Sequence, residues 1–290
     1  MKHIIGKQYE KDDAFKAKAR LHQSRYRAGV LNVDFDEYGN RLGDEAGRAL
    51  LNYYPALGCR EALRRRYPKY SKKRDGDMLR SEHIPFNMLA PLKTNEALAQ
   101  RIIEKAFGIA TKPPYDIRIE WAPSPKENYV DDATSFDTYI QCKGTGGQTV
   151  GIGIEVKYTE QGYPIGDGEK QKVLDANSTY WTVSRRSGVF INPKNDRVTT
   201  DDLRQIWRNH LLGLAMVQRN ELDDFFSITL YPSGNHHFDH ALAEYRNLLK
   251  PSHNHVRGCR FEDFIEAIDG DTEILKWQQW LANRYIVNVE

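Results

Sequence analysis

Gly151-Ile152-Gly153-Ile154-Glu155-Val156-Lys157-Tyr158 is the stretch on which the fold turns. It is rich in β-branched residues and alternates with period two. In an extended strand Ile152, Ile154 and Val156 therefore share one face, and Glu155 and Lys157 share the other. A carboxylate and an ammonium two residues apart on an otherwise apolar strand are costly to bury without a purpose. Upstream, the Gly144–Gly147 stretch reads as a hairpin turn, and Ser135-Phe136-Asp137-Thr138-Tyr139-Ile140-Gln141 as the strand it returns from. Pairing of the two strands lets Asp137 and Glu155 converge. Gly151 and Gly153 inside the strand allow close approach of a DNA backbone or a neighbouring element.

Two carboxylates and a lysine on adjacent strands suit a hard divalent cation. Mg²⁺ takes oxygen ligands in octahedral geometry, often one or two carboxylates, and leaves its remaining positions to water and phosphate oxygens. Asp137 and Glu155 are the ligands expected, with the carbonyl of Val156 between them. Lys157 is placed to orient a water and to offset charge developing on phosphorus.

Tyr115–Trp121 alternates as a further strand, and Phe225–Tyr231 as a fourth. The stretch after Gly162, Pro164, Gly166 and Gly168 reads as loop. Helical periodicity marks Asp202–Arg219, His240–Leu249, Phe261–Ile268 and Thr272–Tyr285. It also marks Asn95–Phe107, with Gly108 as its stop. The first ~110 residues read as helical: one helix capped by Asp12 or Asp13, a loop around Gly29, Asn32, Gly39 and Asn40, then helices Arg41–Tyr54 and Cys59–Tyr67, and one opening at Asp77 or Ser81. The expectation is an α/β (α+β) domain with one central mixed sheet flanked by helices. Residues 1–76 are expected to form a helical, DNA-binding extension, and residues 77–290 the catalytic core with its C-terminal helices.

The 290 residues carry a formal charge of only +2, so composition alone does not announce a nucleic-acid binder. The distribution is more telling. Arg60, Arg64, Arg65, Arg66, Lys69, Lys72, Lys73 and Arg74 face a single acid, Glu61, across fifteen positions, with Tyr67 and Tyr70 interleaved. Such a segment can neutralise phosphates and stack on bases, although a solvated surface accounts equally for its charge. No run of about 18 apolar residues offers a membrane span. Met1–Lys7 has no apolar stretch of signal-peptide length, and three scattered cysteines make no disulfide framework. A cytoplasmic protein without a membrane role is expected.

Asp137, an 18-residue spacing, then Glu155-Val156-Lys157 on consecutive strands resembles the PD-(D/E)xK nuclease superfamily, the restriction-endonuclease-like fold. Phe136 stands where that motif often has proline. The likeness spans roughly residues 80 to 230. Within it, Ser81-Glu82-His83-Ile84-Pro85-Phe86-Asn87 and Gln205-Ile206-Trp207-Arg208-Asn209-His210 are similar to a subgroup of restriction endonucleases. The resemblance implies a Mg²⁺-dependent DNA endonuclease, with Mn²⁺ able to substitute, of restriction or defence type. It implies Asp137, Glu155 and Lys157 as the catalytic set, and a further acid from the preceding helix: Glu82, with Glu96 the alternative. Gln205 is implied as a polar group beside the metal, and Arg208 as a phosphate contact joining Arg64, Arg65, Arg66, Lys72, Lys73 and Arg74 on DNA. A homodimer and a cognate methyltransferase are implied partners. The competing readings are a structure-specific repair or recombination nuclease, a non-catalytic nucleic-acid-binding protein of the same fold, and a metabolic enzyme whose Glu-x-Lys is coincidental.

Four further signals carry less. His236, His237 and His240 superficially suggest zinc, but Gly234-Asn235 reads as a turn and no cysteine completes a tetrahedral set. His253-Asn254-His255 lies in a loop around Pro251. Asp131 and Asp132 are taken as a solvated loop, and Arg185 and Arg186 as an exposed basic pair.

Overall fold

The β-branched run at the heart of the sequence forms the central strand of a sheet. The computed structural model of the chain describes residues 5–162 and 164–287; the reading of the N-terminal stretch falls largely outside them. Five strands, β3 (Thr111–Trp121), β4 (Phe136–Gly144), β5 (Thr149–Val156), β6 (Asp224–Tyr231) and β7 (Val256–Arg260), lie side by side in that order. β3, β4 and β5 are joined antiparallel, and β6 and β7 add on parallel. A two-stranded hairpin, β1 (Phe35–Asp36) and β2 (Tyr38–Leu42), stands apart. The architecture is a mixed sheet flanked by helices, an α/β fold of the restriction-endonuclease-like kind.

The period-two pattern sorts the two faces. Ile140, Ile152, Ile154, Val156, Ile228 and Leu230 face a core filled by Leu98, Ile102 and Ile103 of the helix Glu96–Lys105, and by Phe264, Trp277 and Tyr285 near the C-terminus. Each fully buried aliphatic side chain contributes about 1.5–3 kcal/mol through removal from water. On the other face, Tyr139 and Phe225 pack against Trp207, Leu211 and Leu214 of the helix Arg204–Gln218, with Tyr180 and Trp181 behind. Gly151, Gly153 and Gly213 make room for that packing. A Cβ on Gly153 would lie 2.5 Å from the Phe136 ring, and one on Gly213 would lie 2.1 Å from the Phe225 ring. The strand glycines therefore admit neighbouring side chains, not DNA.

Several local signals act as read. Of the two caps offered, Asp13 accepts from the Lys16 N–H to open the helix Ala14–Tyr26. Asn95, read as the first residue of a helix, instead caps Glu96–Lys105 by accepting from the Leu98 N–H. Gly108 turns the chain at φ +68°. Elsewhere tertiary context prevails. Arg41–Tyr54 is not one helix: Leu42 ends β2, and only Asp44–Arg48 is helical before a run of turns. The stretch expected to be loop after Gly162 holds the helices Asp167–Leu174 and Thr179–Ser187. β7 follows directly on the loop that holds His253-Asn254-His255, in a stretch to which the sequence pattern assigns no element. Residues 5–76 are not purely helical, since they contain the β1–β2 hairpin, nor do they pack separately. Ala19, Tyr54 and Cys59 belong to the same core as Ile102 and Trp277, and Gln23 donates to the Tyr158 hydroxyl and to the Arg284 carbonyl. No helix among the described residues is long and apolar enough to cross a membrane.

Candidate active site

The β4–β5 ladder ends at the pair Thr138↔Ile154. Continuing its register one step sets Asp137 beside Glu155. There the Asp137 carboxylate takes over from the backbone: Oδ2 accepts the Val156 N–H at 2.6 Å. The adjacent β3–β4 ladder, with Ile119↔Thr138 and Trp121↔Phe136, sets Glu120 opposite Asp137. On the far side Glu155 pairs with Thr229 of β6. One rung of the sheet thus runs Glu120, Asp137, Glu155, Thr229.

Glu155 is held on every side. Lys157 Nζ lies 2.7 Å from its Oε1, Gln205 donates to the same oxygen, and Asn209 Nδ2 donates to Oε2 at 2.7 Å. Gln205 and Asn209 stand four apart on the helix Arg204–Gln218, so one face of that helix presents both amides. Lys157 is only 7% exposed. Burial alone would lower its ammonium, but Glu155 and then Asp137 outweigh that and hold it above the usual lysine range. Asp137 is driven the other way. Burial, then the charges of Glu155 and Glu120, raise its carboxyl well above the usual carboxylate range, against the pull of Lys157 and the Val156 N–H. Three acids on one rung with a single buried ammonium form a site short of positive charge.

The sequence reading did not single out Glu120 or Asn209. Burial pushes Glu120 up to about 7, Glu155 and Glu82 add to the rise, and a hydrogen bond from Tyr67 works against it. The Tyr67 hydroxyl donates to Oε2 at 3.2 Å, and Arg66 Nε donates to the Glu120 carbonyl at 3.1 Å. Glu120 itself adopts φ +54°, which L residues rarely hold within a strand. The one legible signal for it was the alternation of Tyr115–Trp121, which sets acids on that strand. Asn209 could have been found by stepping four residues from Gln205.

The other expected residues are distributed differently. Glu82 lies at the rim, on the short 3₁₀ turn Ser81–His83, ion-paired to Arg80 at 2.9 Å. The neighbouring Ser81 N–H is tied to Glu160, whose carboxylate also accepts the Tyr158 and Thr159 N–H groups at the end of β5. Glu96 instead accepts from the Tyr115 N–H, far along β3 from the acidic rung. Arg208 does not face solvent as a phosphate contact would. Its guanidinium pairs with Asp132 at 2.9 Å and Glu169 at 3.0 Å and donates to Thr134, with little exposure. Those bonds also make Asp132 a half-buried structural acid, while Asp131 pairs with Lys172.

The basic segment splits in two. Arg74 is locked to Asp75 and stacked on Tyr67, Lys72 pairs with Asp36, and Arg66 covers the Tyr67 ring. Arg64, Arg65, Lys69 and Lys73 are exposed and form no ion pair among the described residues. Arg65 and Arg66 share a cleft of about 370 Å³ with Lys93, Arg118 and Ile119.

Among the described residues no group of three His, Cys, Asp or Glu side chains is placed to hold a metal ion. The donor set on the rung nevertheless fits Mg²⁺, which asks for one or two carboxylates and keeps water elsewhere. A divalent ion there would also relieve the mutual repulsion that raises Asp137 and Glu120.

A mixed α/β sheet presenting Asp on one strand and Glu-x-Lys on the next defines a protein of the restriction-endonuclease-like class. The family model described as the PD-(D/E)XK nuclease superfamily matches residues 10–287, and the chain belongs to that superfamily. The match takes in the N-terminal helices and hairpin as well as the sheet. Its members are generally nucleases, and usually use divalent metals such as Mg²⁺. No curated protein and no solved structure matches the chain.

Proposed function

We propose that this protein is a Mg²⁺-dependent DNA endonuclease, of restriction or defence type, whose cation is held by Asp137, Glu155 and the Val156 carbonyl. The observation that carries the reading is the Asp137–Glu155–Lys157 constellation, two half-buried carboxylates on one rung with a buried lysine on the same strand face as Glu155. When bound, the ion would supply the positive charge that polarises the scissile phosphate and acidifies a water.

The chain's own residues supply the rest. Gln205 and Asn209 lock the Glu155 carboxylate in one orientation, which spares the site that ordering when substrate arrives. Lys157, kept charged by its two acids, donates to the attacking water or to a non-bridging phosphate oxygen as charge builds. The exposed cations Arg64, Arg65 and Lys73 grip flanking phosphates. Arg208 and Arg74 are left out of that role because their donors are committed to carboxylates.

The test uses supercoiled plasmid and linear phage DNA with Mg²⁺, Mn²⁺ or EDTA, alongside Asp137→Ala and Lys157→Ala. Cation-dependent cutting by the native protein, lost in both variants, is the expected result. Undiminished cutting by the variants, or in EDTA, overturns the site. Discrete phage fragments support a restriction-type enzyme; a smear supports a structure-selective one. A homodimer and a protecting methyltransferase follow from the superfamily analogy alone, and the mass in solution tests the first.

A further inference from the structure

We propose a buried anion site at Arg284, one that takes a halide ion such as chloride and ties the helix Ala14–Tyr26 to the helix Thr272–Tyr285. It stands apart from the acidic rung and does not rest on the nuclease reading.

Arg284 lies near the end of the helix Thr272–Tyr285 and is fully buried. A buried guanidinium is ordinarily answered by a carboxylate, because an unpaired charge inside a protein costs far more than an unmade hydrogen bond. The buried Arg20 and Arg204 follow that rule, paired with Asp12 and Glu169. Arg284 does not. It forms no ion pair among the described residues, and the groups it meets are neutral. Its Nη2 donates to Asn52 Oδ1, and the guanidinium lies 5.1 Å and 5.2 Å from the ring centres of Tyr26 and Tyr285. The tyrosine faces offset part of the charge. Nε and Nη1 nevertheless meet no acceptor among the described residues.

The same place gathers further buried groups in that condition. Asn52 Nδ2, on the carboxamide that Arg284 already touches, has no partner. Nor has either ring nitrogen of the fully buried His83, whose ring stacks on Tyr285 at 5.9 Å. Burial first, and the charge of Arg284 second, hold His83 well below the usual histidine range, so its ring is neutral and offers one N–H. Gln23 donates to the Arg284 carbonyl and the Tyr158 hydroxyl and keeps Oε1 unpartnered. The unmatched donors are Arg284 Nε and Nη1, Asn52 Nδ2 and the His83 N–H; the unmatched acceptors are Gln23 Oε1 and the second His83 nitrogen. Donors prevail, and the one formal charge among these four side chains is positive. Water can serve the hydrogens, but an anion also answers the charge. Gln23, Asn52, His83 and Arg284 are all sealed from solvent. Close-packed interiors hold few spaces larger than a water molecule, which selects a monatomic halide over a phosphate or a carboxylate. Through the Gln23–Tyr158 bond the ion would also brace the residue that follows Lys157.

The experiment is a thermal melt of the full chain at constant ionic strength, with gluconate exchanged stepwise for chloride or bromide. It compares the native protein with Arg284→Met, His83→Phe and Arg186→Met, the last removing an exposed cation as control. The native protein should melt roughly 2–4 °C higher in about 300 mM chloride than in about 5 mM, because the ion binds only the folded state. Arg284→Met keeps apolar bulk between the two tyrosines and should lose that dependence. His83→Phe keeps the stack on Tyr285 and should reduce it, whereas Arg186→Met should retain it in full. Crystals of the native protein grown in bromide should show an anomalous peak within hydrogen-bond distance of Arg284 Nε or Nη1, a result independent of whether Arg284→Met folds. A native melt indifferent to halide, or bromide crystals without a peak at Arg284, overturns the inference and leaves water to serve those donors. Equal halide dependence in the native protein and Arg284→Met also overturns it, because the ion would then act elsewhere.

Discussion

The Lys157 ammonium sits 2.7 Å from Oε1 of Glu155, two residues away on the same face of β5, with about a tenth of each side chain reaching water. Such a pair is a weak source of stability, since desolvating both charges offsets much of their attraction. Its presence is better explained by chemistry at that spot. Lys157→Met should cut DNA at least about 100-fold more slowly than the native protein. It should also melt lower, because Glu155 loses its cation while staying buried. Initial rates of plasmid nicking and a thermal melt check this; more than a tenth of the native rate contradicts it.

The acidic rung sets a pH dependence of stability. Glu120 is pushed up to about 7 from 4.5, by burial first and then by Glu155 and Glu82, and Asp137 is raised as well. A carboxyl raised in the folded state binds its proton more tightly than in the unfolded chain. The stability it contributes is full below about 4.5 and is lost as pH rises through about 7. In EDTA the melting temperature should therefore fall between about pH 5 and about pH 8. Mg²⁺ should restore it, and Glu120→Gln should flatten the slope. Melts across that range decide the matter; a rise with pH in EDTA contradicts the reading.

Arg65 and Arg208 should behave in opposite ways. Arg65 is exposed and forms no ion pair among the described residues, so Arg65→Ala should weaken DNA binding across all sequences and reduce the salt slope by roughly 0.9. Arg208 holds Asp132 and Glu169, each only 12% exposed at the side chain. Arg208→Met should leave the salt slope alone and destabilise by about 3–5 kcal/mol, chiefly because Asp132 loses its cation, while Glu169 keeps Arg204 at 2.8 Å. Binding isotherms at several salt concentrations, with denaturant melts, separate the two.

Gly213 is a packing requirement. A Cβ there would lie 2.1 Å from the Phe225 ring, deep between the helix Arg204–Gln218 and the sheet. Gly213→Ala should cost about 1–3 kcal/mol by overpacking. Phe225→Leu should relieve part of that loss in the double variant. Strict additivity in the double-mutant cycle would sink the explanation.

Much of the sheet was legible because four of its five strands carry their own pattern. Val150 to Val156 alternates a buried Ile/Val face with a polar one whatever it pairs with, so the facing of Glu155 and Lys157 needed no tertiary information. β7 shows the opposite case. Val256-Arg257-Gly258-Cys259-Arg260 has little strand propensity, and is extended because β6 offers it a parallel edge. The β1–β2 hairpin was hidden for a related reason. Its turn holds Glu37 at φ +59°, with no glycine to announce it. The helices after Gly162 were masked by glycines and Pro164, although Tyr180, Trp181, Val183 and Ser184 form a buried stripe once folded.

By itself the sequence determined the strand face that carries Glu155 and Lys157, a helix capped at Asp12 or Asp13, the helix that begins near Asn95, and the stop at Gly108. Each depends on neighbours within a few residues, where backbone geometry and hydrogen bonding are local. Only the tertiary structure decided that Glu120 joins Asp137 and Glu155 on one rung, that Asn209 completes the hold on Glu155, and that Arg208 serves the core. Those outcomes depend on strand register and on which carboxylate a guanidinium reaches. Both are fixed by packing between elements far apart in the chain, which no local pattern encodes.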